Sequence, residues 1–302
     1  MSKVKPWITA LRLRTLPLAF SGWLVGTTLA GNAEPLSWTI GLLTLLTAFL
    51  LQILSNLAND YGDAVSGVDS EHREGPKRMV QSGAISKKQM GRAVVVFSLV
   101  TLGMGCVLLY LAFPDDYLSA LIFLAIGGLG IVAAIKYTVG RNPYGYVGFG
   151  DLFVFVFFGL VLVFGTYYLQ IQQLDWAILL PASSIGLLSI GVLNVNNIRD
   201  IESDRASGKN SIPVRIGRRN AVIYHVFLLI GALALTSVFT LQHFTNWIQL
   251  SFLIIIALFV KNIRAVSDQP LKELDPYLKQ MALSTLLFSI LFSLGYGLAA
   301  IF

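Results

Sequence analysis

The sequence predicts an all-α membrane protein, a bundle of nine transmembrane helices with the N-terminus cytoplasmic and the C-terminus outside. Three observations lead there. Of 302 residues, 55% are hydrophobic and only 13% are charged, with a mean hydropathy of +0.72; a soluble domain carries roughly 25% charged residues. Several apolar runs reach the ~20 residues that a helix needs to cross a bilayer, and the period-two alternation of a membrane β-barrel is absent. Finally, every one of the 22 Lys and Arg residues falls in the segments that this topology places inside.

The apolar segments, in order, are 15–31, 37–57, 92–113, 118–139, 151–169, 176–196, 221–241, 247–260 and 281–301. Lys3, Lys5, Arg12 and Arg14 precede the first, which ends in small residues around Ala30 and Ala33. That is the outline of a signal peptide, but the run is expected to stay as the first span. The third contains the single cysteine, Cys106, expected to pack as a small hydrophobe; no intramolecular disulfide is possible. In the fourth, Gly127-Gly128-Leu-Gly130 reads as close helix packing. The eighth, 247–260, is short enough for a buried or re-entrant piece. Its deletion, however, would place Lys261, Arg264, Lys272 and Lys279 outside, against the charge rule. The basic residues are thus explained by orientation, and no nucleic-acid partner is needed.

Two polar stretches interrupt this pattern. Asn56-Leu-Ala-Asn-Asp60-Tyr-Gly-Asp63 and Asn196-Asn-Ile-Arg-Asp200-Ile-Glu-Ser-Asp204 end the second and sixth segments. At 100° per residue, Asn56, Asp60 and Asp63 fall within about 60° around a helix, and Asn196, Asp200 and Asp204 within about 80°. Both lie at C-terminal helix ends, where the macrodipole disfavours acids. A rule violated twice at matched positions points to function. Carboxylate and amide oxygens suit a hard cation, so a paired Mg²⁺ site gripping a diphosphate is expected, with Asp69 as a possible further ligand. The matched positions also suggest one domain, 1–302, built from four-helix halves at about 15–139 and 151–260 plus a last helix, 281–301.

Basic residues nearby would hold phosphate oxygens: Arg78, Lys136, Arg141, Arg199, Arg205 and Lys209. Asp151, Phe155, Phe158 and Leu162 share a face at α-helical spacing. The rings could stabilise a carbocation, and Asp151 could cap its helix or deprotonate a substrate. Tyr137 and Tyr144 are candidate contacts to a phenolic acceptor. Gly145-x-x-Gly148-x-Gly150 lacks the strand of a dinucleotide site, and His72, His225 and His243 have no metal-ligand spacing. Long inner loops are expected at about 64–91 and 205–220.

The aspartate pair resembles the two aspartate-rich motifs of the UbiA superfamily of intramembrane prenyltransferases. Ser55–Asp63, Gly75-Pro-Lys-Arg78, Tyr137-Thr-Val-Gly140, Asn142-Pro-Tyr-Gly145 and Asn196–Arg205 resemble the branch whose acceptor is 1,4-dihydroxy-2-naphthoate. The resemblance spans nearly the whole chain. It implies a helical bundle with a central cavity open to lipid, and a cytoplasmic-side Mg²⁺ site in the inner membrane. It also implies transfer of a polyprenyl chain from its diphosphate to the naphthoate, with loss of diphosphate and CO₂, giving demethylmenaquinone. One departure from the pattern stands out: Asp63 follows Asp60 by three residues, whereas Asp204 follows Asp200 by four. A 4-hydroxybenzoate acceptor, a secondary transporter and a CDP-alcohol phosphotransferase are the rival readings. A transporter would place its acids near the bilayer midplane, and the phosphotransferase would need one compact motif.

Overall fold

A computed structural model describes residues 4–67 and 78–299; Asp69 lies outside them. Among the described residues the chain is helical throughout, with no strand. A short helix, α1 (Val4–Leu11), was not expected from the sequence. It is followed by α2 (Leu16–Ala33), α3 (Trp38–Ser66), α4 (Lys87–Ala112) and α5 (Tyr117–Lys136). Next come α6 (Gly150–Ile171), α7 (Trp176–Arg199), the short α8 (Ile201–Ala206), α9 (Ile212–Gln242), α10 (Trp247–Asp268) and α11 (Asp275–Ala299). Among the described residues eight helices, α3 to α7 and α9 to α11, are long and apolar enough to cross a membrane. The first expected span forms the 18-residue α2.

Several helix ends are set by their sequence. Ser37 caps α3 by accepting from the Ile40 amide, and Gly67 ends it in the left-handed region at φ 73°. Ser86 and Gln89 form a capping box on α4, and Asn246 and Gln249 form one on α10. The short eighth segment is 22 residues long, because the helix carries on through Lys261 and Arg264 to Asp268. The expected loop at 205–220 is mostly helix: Pro213 sits in the first turn of α9 and supplies a helical φ without needing an N–H partner. Gly217, at φ 78°, kinks that helix.

α7 is the central strut. It packs against α6, α9 and α11, while α2 fills the space between α3, α6 and α11. The main apolar core runs through α2, α7, α9, α10 and α11, and a second cluster joins α1, α3 and α4. The buried His225 contacts Asn262 Oδ1 at 3.0 Å, and Asn262 in turn donates to the Tyr277 carbonyl at 2.9 Å, tying three helices together.

Within α6, Phe155–Phe164 is a π-helix, whose i→i+5 turns are wider than those of an α-helix and often mark functional sites. Glycines on its neighbours clear room for the wide turns. A Cβ on Gly22 would stand 2.6 Å from Leu162, and one on Gly186 would stand 2.7 Å from Phe155. This rewinding changes the faces that α-helical spacing assigns. Phe158 and Leu162 line the central cavity, but Phe155 turns against α7, and Phe153 and Phe157 take the cavity side. Two further expectations are corrected. Cys106 is exposed on the outer face of α4. Of the three glycines in α5, Gly130 packs on Phe157, but a Cβ on Gly127 or Gly128 would meet nothing within 4 Å among the described residues.

Candidate active site

Both aspartate motifs lie at the same end of the bundle, beside a cavity of about 360 Å³. Its polar end is lined by Asn56, Asn59, Asp63, Arg78, Asn196, Asn197 and Lys209. From there it continues as an apolar channel between α3, α5 and α6, as far as Thr44, Leu109 and Leu169. A second cavity, of about 310 Å³, lies under α1 and is lined by Arg12, Arg14, Asp60, Arg78 and Asn196. Arg78 and Asn196 belong to both.

The first motif rides the last turns of α3, which runs nine residues past the expected end of the apolar run. Asn56 donates its amide to the Leu11 carbonyl at 3.0 Å and to Thr15 Oγ1 at 2.9 Å. Those bonds commit its nitrogen and keep its oxygen as an acceptor. Asp60, 1% exposed, accepts from the Met79 amide at 3.2 Å and the Val80 amide at 3.5 Å. Asp63 is equally buried; it is ion-paired with Arg78 and accepts from the Tyr146 hydroxyl. Burial holds the Arg78 guanidinium below the ordinary arginine range, opposed by the charges of Asp60, Asp200 and Asp204. The same arginine therefore feels carboxylates of both motifs.

The second motif is held by its own cations. Arg199, 1% exposed, donates to both oxygens of Asp200 at 2.9 and 2.8 Å. It also donates to Asn196 Oδ1 at 2.9 Å and to Asp275 of α11 at 2.7 Å. Asp275 in turn pairs with Arg14 at 3.2 Å. Lys209 lies 3.5 Å from Asp204 and 5.3 Å from the centre of the Tyr146 ring, and Ser211 donates to Asp204 at 3.4 Å.

The α5–α6 linker closes the site. Thr138 donates to the Ala58 carbonyl at 3.0 Å, docking the linker onto α3, where Gly62 leaves room for it: a Cβ there would lie 2.4 Å from Thr138 Oγ1. Gly145 and Gly150 similarly seat the Tyr137 ring. Burial raises the Tyr137 hydroxyl above the ordinary phenol range, with Asp151, Tyr144 and Asp204 adding to it. Tyr144 is raised by burial as well. Tyr137, Tyr144, Phe153 and Phe157 all line the cavity as a column of rings, with successive centroids 5.4, 3.9 and 6.2 Å apart.

Of the residues expected at the site, Asn56, Asp63, Arg78, Asn196, Lys209, Tyr137, Tyr144 and Phe158 line the main cavity, and Asp60 lines the second. Asp200 and Asp204 are buried and line neither cavity, and Lys136, Arg141 and Arg205 are exposed and line neither. Arg199 is engaged by protein carboxylates. Asp151 sits in the first turn of α6 and accepts from Tyr224 at 2.8 Å, linking α6 to α9. Sequence reasoning missed Tyr146, Arg12, Arg14 and Asp275, which stand outside both motifs; a lone tyrosine or a basic residue near the N-terminus carries no spacing signal.

Among the described residues no three His, Cys, Asp or Glu side chains gather closely enough to hold a metal by themselves. The donor set nonetheless fits a hard divalent cation, being carboxylate and amide oxygens at one end of the bundle: Asn56, Asp63 and Asn196 on the main cavity, Asp60 on the second, and Asp200 and Asp204 buried nearby. Mg²⁺ characteristically takes one or two carboxylates plus substrate phosphate oxygens instead of a complete protein cage.

The profile of the UbiA prenyltransferase family matches residues 19–298. The 1,4-dihydroxy-2-naphthoate octaprenyltransferase of Escherichia coli (strain K12) is 45% identical over 99% of this chain and 97% of that protein. The enzyme of the same name from Haemophilus influenzae is 43% identical over 97% and 96%. A UbiA homolog from Archaeoglobus fulgidus, solved bound to DMAPP and Mg²⁺, shares the fold with a TM-score of 0.61 at 18% identity, covering 96% of this chain and 98% of that one. With a profile match over nearly its whole length and relatives this similar, the chain belongs to the UbiA prenyltransferase family.

Proposed function

We propose that the protein transfers a polyprenyl group from its diphosphate to 1,4-dihydroxy-2-naphthoate, releasing diphosphate and CO₂. With no oxidant taking part, the product is the quinol form of demethylmenaquinone. The observation that carries this reading is a cavity whose polar end is lined by Asn56 and Asp63 of one motif and Asn196 and Asn197 of the other, and which continues into an apolar channel suited to an isoprenoid tail. The names of the bacterial relatives supply the acceptor and the octaprenyl donor.

In this reading Asn56, Asp60, Asp63, Asn196, Asp200 and Asp204 hold Mg²⁺ against the diphosphate. Bound there, the cation would offset negative charge on the departing diphosphate as the C–O bond breaks. Arg78 and Lys209 both line the polar end, each already beside the last aspartate of a motif, and would turn to the phosphate oxygens when the substrate enters. The rings of Tyr137, Tyr144, Phe153 and Phe157 present π faces to the allylic carbon as it gains positive charge. Tyr144 donates to the Ala133 carbonyl at 2.8 Å, so it offers the substrate its ring and not its proton. Attack by the electron-rich naphthoate ring forms the new C–C bond as the C–O bond to diphosphate breaks, and the attacked ring carbon gives up its proton. Loss of the carboxyl group as CO₂, with uptake of one proton at the carbon that bore it, completes the reaction.

The charge distribution favours placing this end of the bundle on the cytoplasmic side of the inner membrane, with α2 as a ninth span, the N-terminus inside and the C-terminus outside. The test is to supply reconstituted protein with Mg²⁺, octaprenyl diphosphate and either 1,4-dihydroxy-2-naphthoate or 4-hydroxybenzoate. Prenylated product and CO₂ from the naphthoate alone are expected. Turnover of the benzoate alone would reassign the acceptor.

A further inference from the structure

Two polar side chains on the main cavity are left unsatisfied by the described residues. Thr44, Thr47 and Thr166 line the cavity too, and each gives its hydroxyl to the carbonyl one turn back, at 2.8, 2.8 and 2.6 Å. Such a back-bond satisfies a hydroxyl inside an apolar helix. Gln52 of α3 and Ser189 of α7 differ. Both line the same cavity, they are 6% and 1% exposed, and Gln52 Oε1 and Ser189 Oγ are buried with no partner among the described residues. Buried polar groups are almost always hydrogen-bonded, because an unpaired one in apolar surroundings costs stability. Two such groups on one cavity point to a ligand that pairs them.

Their level indicates which ligand. Gln52 precedes Asn56 by four residues and Ser189 precedes Asn196 by seven, which at about 1.5 Å per residue places them about 6 and 10.5 Å farther from the polar end. A donor whose diphosphate sits at the motifs would hold its allylic carbon near this level. Neither half of that donor satisfies the two groups, since its headgroup seeks cations and its isoprenoid tail forms no hydrogen bonds. An aromatic acceptor with two ring hydroxyls does. Each hydroxyl both donates and accepts, an amide offers a carbonyl and an NH₂, and a serine hydroxyl offers both functions. The hydroxyls of a 1,4-diol leave opposite edges of the ring, which suits partners carried by two different helices.

We propose that Gln52 and Ser189 form the subsite that reads the two ring hydroxyls of the acceptor. This rests on the prenyl-transfer reading. Gln52 takes one hydroxyl and Ser189 the other, which holds the ring at the level of the allylic carbon. An acceptor with a single hydroxyl leaves one of the two buried groups unpaired, so the subsite favours a diol over it.

The test uses reconstituted protein with Mg²⁺ and octaprenyl diphosphate. It compares the KM for 1,4-dihydroxy-2-naphthoate with the inhibition constant of 2-naphthoate, which keeps the ring and carboxylate but lacks both hydroxyls. Gln52→Leu should raise that KM about tenfold and Ser189→Ala about threefold. The 2-naphthoate constant and the KM for octaprenyl diphosphate should stay within about twofold in both variants. Thr47→Val, whose parent hydroxyl is already paired, should leave all three within about twofold. Melting of the ligand-free protein supplies a second readout: replacing an unpaired amide by an apolar side chain should leave the Tm of Gln52→Leu at or above that of wild type. A lower Tm would show that the fold itself uses the amide and would overturn the subsite. So would an unchanged KM in both variants, or equal weakening of the dihydroxynaphthoate and 2-naphthoate. A wild-type protein that transfers nothing to the dihydroxynaphthoate would overturn the assigned reaction and this subsite with it; transfer with losses indifferent to the hydroxyls would overturn the subsite alone.

Discussion

The two aspartate motifs open alike and are supported differently. Asn56, Asp60 and Asp63 ride one unbroken helix, while the backbone at Asp200 leaves helical geometry (φ −92°, ψ 11°) before the chain restarts as α8. Each motif's last aspartate meets a cation from farther along the chain, Arg78 for Asp63 and Lys209 for Asp204. The first pair is deeply buried, with side chains 8% and 1% exposed; the second is looser, at 13% and 7% over 3.5 Å. The first motif is thus the rigid jaw, fixed by a continuous helix and a buried ion pair. The second jaw is fixed at Asp200, which Arg199 grips at both oxygens and ties to α11 through Asp275, and is looser at Asp204.

That contrast can be broken by substitution. The largest effect is expected from Asp63→Ala, which removes a carboxylate from the cavity and strips a buried arginine of its partner; kcat should fall by about 10³-fold or more, measured in vesicles. Next comes Arg78→Ala at about 10²-fold, against only about tenfold for Lys209→Ala, because the desolvated charge is worth more than the partly solvated one. Equal losses at the two positions would erase the distinction between jaws. Gly62→Ala should be more damaging than a methyl usually is, since its Cβ would overlap Thr138 and lift the linker off α3; a loss of about 1–3 kcal/mol in stability is expected from a denaturation curve. Smallest is Asp275→Asn. Asp275 is 34% exposed, so losing its pairs with Arg199 and Arg14 should cost only about 1 kcal/mol of stability. It should also raise the apparent KM for Mg²⁺ severalfold while kcat changes little, and Asp275→Glu should restore the KM.

Much of this was legible in the sequence because membrane physics writes plainly. Apolar run length marked the eight long apolar helices, and the oddity of acids at helix C-termini pointed to the candidate site. Three things were hidden. The π-helix in α6 follows from glycines on two other helices, so α-helical spacing put Phe155 where Phe153 and Phe157 belong. The partners of the carboxylates come from remote positions: Tyr146 and Asp275 reach the motifs only through the fold. The glycines of α5 looked like packing residues, since a missing side chain reads the same beside a neighbouring helix as beside an open gap.

The central claim is that both motifs grip one headgroup. The direct measurement is the affinity of wild type, Asp63→Asn, Asp204→Asn and the double variant for a non-hydrolysable polyprenyl diphosphate analogue in the presence of Mg²⁺. If the two sites act on one ligand, each single change should lose most of the binding and the double should lose little more, a coupling of about 1–3 kcal/mol. Losses that simply add, or a single variant that binds as wild type does, would show that the motifs work apart and would contradict the account.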